Sequence, residues 1–99
     1  MEIVKSESGG KVIFTLTGRL DTTTAPQLQE GLIPTFDDGV CVELDFANLT
    51  YVSSAGLRVL LLGEKTAKSK GGVLTLVNVS AEIREVFEMT GFTDILKIV

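Results

Sequence analysis

The alternation of apolar and polar residues predicts elements in the order β-β-α-β-α-β-α-β. Two alternating segments, Glu2–Glu7 and Lys11–Thr17, flank the turn Ser8-Gly9-Gly10 and predict an antiparallel N-terminal hairpin. Two apolar runs rich in β-branched residues, Val40–Phe46 and Val73–Val77, predict buried strands further along the chain. Strands that alternate with helices favour an α/β fold with a mainly parallel central sheet and helices packed on it.

The first predicted helix lies between the hairpin and the third strand. Thr24 and Gln27 have the spacing of a capping box, with Pro26 in the first turn, where its missing N–H costs little. Pro34 is expected to end this helix. The segment Asp37-Asp38-Gly39 then predicts a turn that leads into the third strand.

The second and third helices have clearer boundary signals. Residues Ser54–Lys70 carry a broad leucine-rich face, and Gly71-Gly72 is expected to end this helix. Ser80 has the position of an N-cap for the third helix, and Gly91 has that of its left-handed C-terminal residue. A last short strand is predicted over residues 95–99.

Size and charge limit the classes of function. A chain of 99 residues suffices for one domain, which we assign to residues 1–99. The net charge of -4, without a basic stripe, argues against nucleic acid as a partner. No apolar run approaches the ~20 residues of a membrane span. We therefore expect no membrane partner and a cytoplasmic location.

The reactive residue types are few. The chain contains no histidine, which excludes a Ser-His-Asp hydrolase and removes the commonest metal ligand. We therefore predict neither an enzyme nor a metal site, and no motif indicates a cofactor. The single Cys41 cannot form an internal disulfide, and its position in an apolar strand predicts a buried, unreactive thiol.

Two polar segments are the candidate functional residues. Asp21 and the pair Ser53-Ser54 each follow a predicted strand and precede a predicted helix. Because the carboxyl ends of parallel strands meet at one edge of a sheet, we expect these segments to lie close together. Free N–H groups and the helix dipole make a helix N-terminus suitable for a phosphate, although the simplest interpretation of the serine pair taken alone is a plain N-cap.

Several of these segments together resemble the STAS domain family, and within it the bacterial anti-sigma factor antagonists. The resemblance covers nearly the whole chain, and it depends on the order and spacing of short motifs rather than on any one of them. These motifs are Gly18-Arg19-Leu20-Asp21, Thr24-Ala25-Pro26, Leu44-Asp45-Phe46, the segment Tyr51-Val52-Ser53-Ser54-Ala55-Gly56-Leu57, Val77-Asn78-Val79-Ser80 and Thr90-Gly91-Phe92.

The resemblance implies a switch between protein partners. In that family, the unmodified antagonist binds an anti-sigma factor that is also a serine kinase, and the sigma factor is released. The kinase phosphorylates a serine at the start of the second helix, and a PP2C-type phosphatase removes the phosphate. By this resemblance Ser54 is the phosphorylated residue and Asp21 lies beside it. The implied partner-binding residues are Asp21, Thr22, Thr23, Ser53, Ser54, Ala55, Gly56, Leu57 and Arg58.

Some alternatives remain open at the level of sequence. The family commonly has Asp before the target serine, and this chain has Ser53, which leaves Ser53 as the less favoured acceptor. The same departure motivates a second function, an interaction subunit of a signalling scaffold or of a lipid-transport complex. Gly56 fits either close helix–sheet packing or a close partner backbone. The segment around Ser54 only half matches a nucleophile elbow, because Val52 replaces its first glycine. A monomer or a weak dimer is expected.

Overall fold

The computed structural model describes residues 1–37 and 39–99, and its central feature is a five-stranded sheet in the order β1-β2-β3-β4-β5. β1 and β2 are antiparallel, and the other neighbours are parallel, so the predicted hairpin and mainly parallel sheet are confirmed. The strands are β1 (Glu2–Ser8), β2 (Lys11–Leu20), β3 (Cys41–Val52), β4 (Val73–Val77) and β5 (Lys97–Ile98).

The helices follow the predicted order. They are α1 (Ala25–Leu32), α2 (Ser54–Ser69) and α3 (Ala81–Thr90), with short 3₁₀ segments at Ile33–Phe36 and Phe92–Asp94. The α-helical part of α1 ends before Pro34, as expected, but the chain continues through this proline as a 3₁₀ turn. The predicted turn at residues 37–39 includes Asp38, which lies outside the described residues.

Helix α3 has the two end signals that the sequence predicts. The Ser80 side chain accepts a hydrogen bond from the N–H of Ile83 at 3.2 Å. Gly91 follows the helix with φ 79°, a left-handed conformation that glycine adopts without a steric penalty. Both ends of α3 could therefore be predicted from the residue types at the helix boundaries.

The core lies on one face of the sheet. Alternate residues of the central strands are buried together with side chains from the helices, while the residues between them are less buried. Phe46 of β3 and Phe87 of α3 are fully buried, with ring centroids 6.3 Å apart. The buried strand residues of the core are Val12, Phe14, Leu16, Leu20, Val42, Leu44, Phe46, Leu49, Val52, Leu74 and Leu76.

Cys41 corrects one prediction: its side chain is exposed, not buried. It is the first residue of β3, and the next residue, Val42, is buried. Successive side chains of a strand point to opposite faces, so placing Val42 in the core turns Cys41 to the other face. The apolar run alone did not show which of the two alternating sets of strand residues faces the core.

The third strand is longer than predicted. It continues past Phe46 to Val52, so the loop expected before α2 is strand instead. As far as Phe46, every second residue of the strand is buried. Beyond Phe46, the buried residues are Leu49 and Val52. The pairing of β2 with β3 shifts register in the same region. A register irregularity interrupts the alternation of buried and exposed residues that identifies a strand. For this reason the predicted strand ended too early, at Phe46.

Candidate functional site

The two predicted polar segments begin side by side at the ends of β2 and β3. The last residues of these strands, Leu20 and Val52, are paired in the sheet. The N–H of Ser53 donates to the carbonyl oxygen of Leu20 at 2.8 Å. Asp21 follows Leu20 directly, so the structure brings Asp21 and Ser53 to the same edge of the sheet.

The two serines have different places at the start of α2. Ser53 has extended backbone angles, φ -91° and ψ 175°, and its Oγ accepts from the N–H of Gly56 at 3.3 Å. The carbonyl oxygen of Ser53 also accepts from the N–H of Leu57 at 2.9 Å. Ser54 is the first helical residue, and its side chain is exposed. The plain N-cap interpretation therefore describes Ser53, whereas Ser54 presents its hydroxyl to solvent.

We expect Ser53→Ala to lower the free energy of unfolding by about 1 kcal/mol, because it removes the acceptor for an N–H at the helix start. Ser54→Ala is expected to change stability by less than about 0.5 kcal/mol, since alanine favours an exposed helical position. Urea denaturation measures both. Ser80→Ala, which removes the equivalent cap of α3, is the matched control. Equal effects of Ser53→Ala and Ser54→Ala would contradict this assignment of the cap.

The Asp21 carboxylate organises its own loop. Asp21 Oδ1 accepts from the backbone N–H groups of Thr23 at 3.0 Å and Thr24 at 3.1 Å. Asp21 Oδ2 lies 3.7 Å from Nε of Arg19. The N–H of Thr24 is the main cause that lowers the pKa of the Asp21 carboxyl below its usual value, with Thr23, the Thr24 hydroxyl and Arg19 acting in the same direction. Asp21 is therefore ionised at neutral pH, and hydrogen bonds tie its carboxylate to the backbone of its own loop.

The predicted capping box at Thr24 and Gln27 is wrong. Thr24 precedes α1, but its side chain makes no capping hydrogen bond to the helix. Its hydroxyl turns back instead, donating to the carbonyl oxygen of Arg19 at 2.7 Å and accepting from the N–H of Asp21 at 2.9 Å. The hydroxyl of Thr24 therefore stabilises the Asp21 loop, and only the backbone carbonyl of Thr24 bonds to the first turn of α1.

A further contact at this edge is absent from the sequence prediction. The Arg19 guanidinium carbon lies 4.2 Å from the centroid of the Tyr51 ring, in the range of a cation–π contact. Arg19 and Tyr51 are paired in the sheet, and both side chains are exposed. The pairing register that joins them depends on the shift in β2 and β3, which the local sequence pattern does not reveal.

Gly56 and Leu57 lie inside the protein. Both residues are buried, with Leu57 only 9% exposed. A Cβ added at Gly56 would be 2.7 Å from Cγ of Leu20 and 3.1 Å from its carbonyl oxygen. The start of α2 therefore packs directly on the end of β2. Of the two interpretations of Gly56, the structure favours close helix–sheet packing.

The remaining predicted partner-binding residues form a surface that we call the docking edge. Thr22, Thr23, Ser54 and Arg58 are exposed, while Asp21, Ser53 and Ala55 are partly exposed. Beside it lies a groove of about 260 Å³ between α1 and α2, lined in part by Thr22, Ala55 and Arg58. A larger groove, of about 420 Å³, borders Lys11 and Cys41, at the opposite ends of their strands. It shares no residue with the docking edge.

Residues 1–37 and 39–99 contain neither a candidate metal site nor a candidate membrane span. No cluster of three or more potential metal-ligating residues of the types His, Cys, Asp and Glu is present there. None of the helices in the same residues combines the length and the apolar character that crossing a membrane requires.

Fold and site together define a small α/β domain whose exposed edge contains a serine at a helix start. The STAS domain model matches residues 2–99, and the chain belongs to the STAS domain family.

Two curated relatives of this chain have names that refer to anti-sigma factor antagonists. BtrV from Bordetella bronchiseptica, provisionally named an anti-sigma factor antagonist, is 37% identical over 99 residues, which cover 99% of this chain and 85% of BtrV. The anti-sigma-B factor antagonist of Bacillus subtilis is 34% identical over 83 residues, covering 84% of this chain and 76% of that protein. These names describe regulatory binding proteins, not enzymes, as the sequence predicts for this chain.

A solved structure supports the fold. The anti-sigma factor antagonist SpoIIAA in its unphosphorylated form matches with a TM-score of 0.77 and 20% identity, over 99% of this chain and 87% of that chain. At this identity the likeness shows the shared fold alone.

Proposed function

We propose that this protein is an anti-sigma factor antagonist whose docking edge is switched by phosphorylation of Ser54. In the unmodified form it binds an anti-sigma factor that is also a serine kinase, and the sigma factor is released. The observation that carries this proposal is the exposed hydroxyl of Ser54 at the first position of α2, beside the ordered Asp21 loop. The names of the two curated relatives support the same class of function.

The modification changes charge where the partner would dock. Ser54 Oγ forms a bond to the γ-phosphorus of ATP, the bond to ADP breaks, and a base of the kinase takes the hydroxyl proton. The phosphate adds about 1.5 to 2 negative charges to a chain whose net charge is -4. Helix N–H groups and the dipole of α2 favour a dianion at this position, so the fold itself need not change.

Ser54 is a better acceptor than Ser53 on this geometry. The Ser53 hydroxyl is partly buried and accepts from the N–H of Gly56, so its modification would disturb the helix cap. Ser54 does not cap the helix, and it is exposed. Transfer to Ser54 therefore leaves the cap of α2 intact.

Release of the partner follows from the position of the charge. A partner surface that fits the Ser54 hydroxyl and the neighbouring Ala55 would meet a bulky dianion after phosphorylation. Unpaired charge at the centre of an interface costs several kcal/mol, about a hundredfold or more in affinity. A PP2C-type phosphatase would restore binding. We place this cycle in the cytoplasm, where sigma factors act.

The alternative function, a subunit of a signalling scaffold or lipid-transport complex, is motivated by Ser53 in place of the usual Asp. Because Ser53 Oγ accepts the Gly56 N–H, it performs the capping task that an aspartate performs. The departure thus gives the alternative little support. Pull-down from the native cell separates the two functions: recovery of transporter subunits without an anti-sigma kinase would favour the alternative.

Incubation with the cognate kinase and Mg-ATP is expected to add one phosphate to Ser54, because Ser54 is exposed and Ser53 is engaged in capping. Intact-mass and fragment mass spectrometry locate the phosphate. Ser54→Ala is expected to abolish incorporation, and Ser8→Ala, at the exposed end of β1, is the matched control. Phosphate on Ser53 alone would reassign the switch, and absence of phosphate from both serines would refute it.

A further inference from the structure

Arg58 is an exposed cation on α2, four residues after Ser54. The ion pairs in the described part of the chain use the cations Lys11, Arg19 and Lys68, and Arg58 takes part in none of them. It lines the groove between α1 and α2. The fold as described therefore leaves this guanidinium available within the docking edge.

The spacing places Arg58 next to the hydroxyl of Ser54. Residues i and i+4 of a helix are neighbours on one face, with Cβ atoms ~5–6 Å apart. Side chains of a helix generally point back toward its N-terminus, so a side chain as long as that of Arg58 can reach a group on Ser54. An acidic group placed four residues before a cation is the more favourable order of such a pair.

We propose that Arg58 is the internal counter-ion of a phosphate on Ser54, an inference that rests on the proposed function. A planar guanidinium can donate two parallel hydrogen bonds to phosphate oxygens, and charge-assisted bonds of this kind are about twice as strong as neutral ones. Phosphorylation then has two effects. It adds a dianion to the docking edge, and it engages a cation that is exposed there in the unmodified protein.

The neighbouring charges leave this role to Arg58. Arg19 stacks on Tyr51 and lies 3.7 Å from Asp21, so it is already engaged. Asp21 Oδ1 accepts hydrogen bonds from its own loop. Neither group therefore competes strongly for Arg58 or for the phosphate.

The test uses phosphoserine incorporated at position 54 during synthesis, so that it does not depend on any kinase. ³¹P NMR titration measures the second ionisation of the phosphate, whose ordinary pKa is about 6. In the wild-type background this pKa is expected to be lower than in Arg58→Ala by about half a pH unit, because the guanidinium stabilises the dianion. Arg58→Lys is expected to keep part of the lowering of the phosphate pKa, since lysine retains the positive charge but cannot donate two parallel hydrogen bonds from a planar group.

Lys65→Ala is the matched control, because Lys65 is an exposed cation of the same helix and lies far from Ser54. It is expected to leave the phosphoserine pKa unchanged. Equal pKa values in the wild type and Arg58→Ala would overturn the inference, and so would an equal shift in Lys65→Ala. Failure of the kinase to modify Ser54 would instead refute the proposed function, and the two failures are thereby distinguished.

Discussion

Ser54→Asp is expected to weaken binding to the anti-sigma factor kinase by about a hundredfold or more, whereas Ser54→Ala is expected to leave the affinity nearly unchanged. Asp places a fixed carboxylate at the first position of α2, where the unmodified protein presents a neutral hydroxyl. Alanine removes the hydroxyl without adding volume or charge. Isothermal titration calorimetry with a candidate kinase, at one salt concentration, measures all three affinities.

The control for this comparison is Ser8→Asp. Ser8 is an exposed residue at the end of β1 next to the hairpin turn, and the substitution adds the same charge far from the docking edge. Surface charges separated by more than a Debye length of ~8–10 Å are largely screened at physiological salt, so Ser8→Asp is expected to have little effect. Similar affinities for the wild type, Ser54→Asp and Ser54→Ala would show that this position does not control docking.

Gly56→Ala is expected to lower the free energy of unfolding by about 2–3 kcal/mol, because overpacking a tight contact forces side chains and backbone to move. The new Cβ would lie 2.7 Å from Cγ of Leu20 and 3.1 Å from its backbone oxygen. The side chain of Leu20 is fully buried, and the backbone oxygen cannot be displaced without moving the end of β2. For a domain of this size, a change of this magnitude lowers the Tm by roughly 10–20 °C, which calorimetry measures.

Gly31→Ala is the matched control for Gly56→Ala. Gly31 is also helical, but a Cβ added there would meet Cε1 of Phe14 at 3.9 Å, which is an ordinary contact. Alanine is the better helix former by up to about 1 kcal/mol, so this variant is expected to be slightly stabilised. If both variants had the same stability, the close packing of α2 on Leu20 would be contradicted.

Much of the fold was predictable because its signals are local. The hairpin turn, the Ser80 cap and the left-handed Gly91 each depend on residues within one turn of the chain, and the structure confirms all three. The order of strands and helices follows from periodicity in the same way. Such features need no knowledge of distant neighbours.

The errors arose where a contact between distant segments decided the outcome. β3 continues to Val52 because its residues pair with β2 through a shifted register, and no local pattern shows this pairing. Cys41 is exposed because the helices cover the other face of the sheet. The error at Thr24 is different, because it is local: the hydroxyl bonds to the carbonyl oxygen of Arg19, five residues back, instead of capping α1.

By itself, the sequence determined that two serines stand at the start of the leucine-rich helix and that an aspartate follows the strand next to it. Which serine caps the helix was decided only in three dimensions, because the bond from Ser53 N–H to Leu20 places Ser53 outside α2 and Ser54 inside it. The same close approach of α2 to Leu20 buries Gly56 and leaves Ser54 and Arg58 at the surface. The sequence gives the type of each residue, whereas the exposure of each residue depends on which distant segments pack against it.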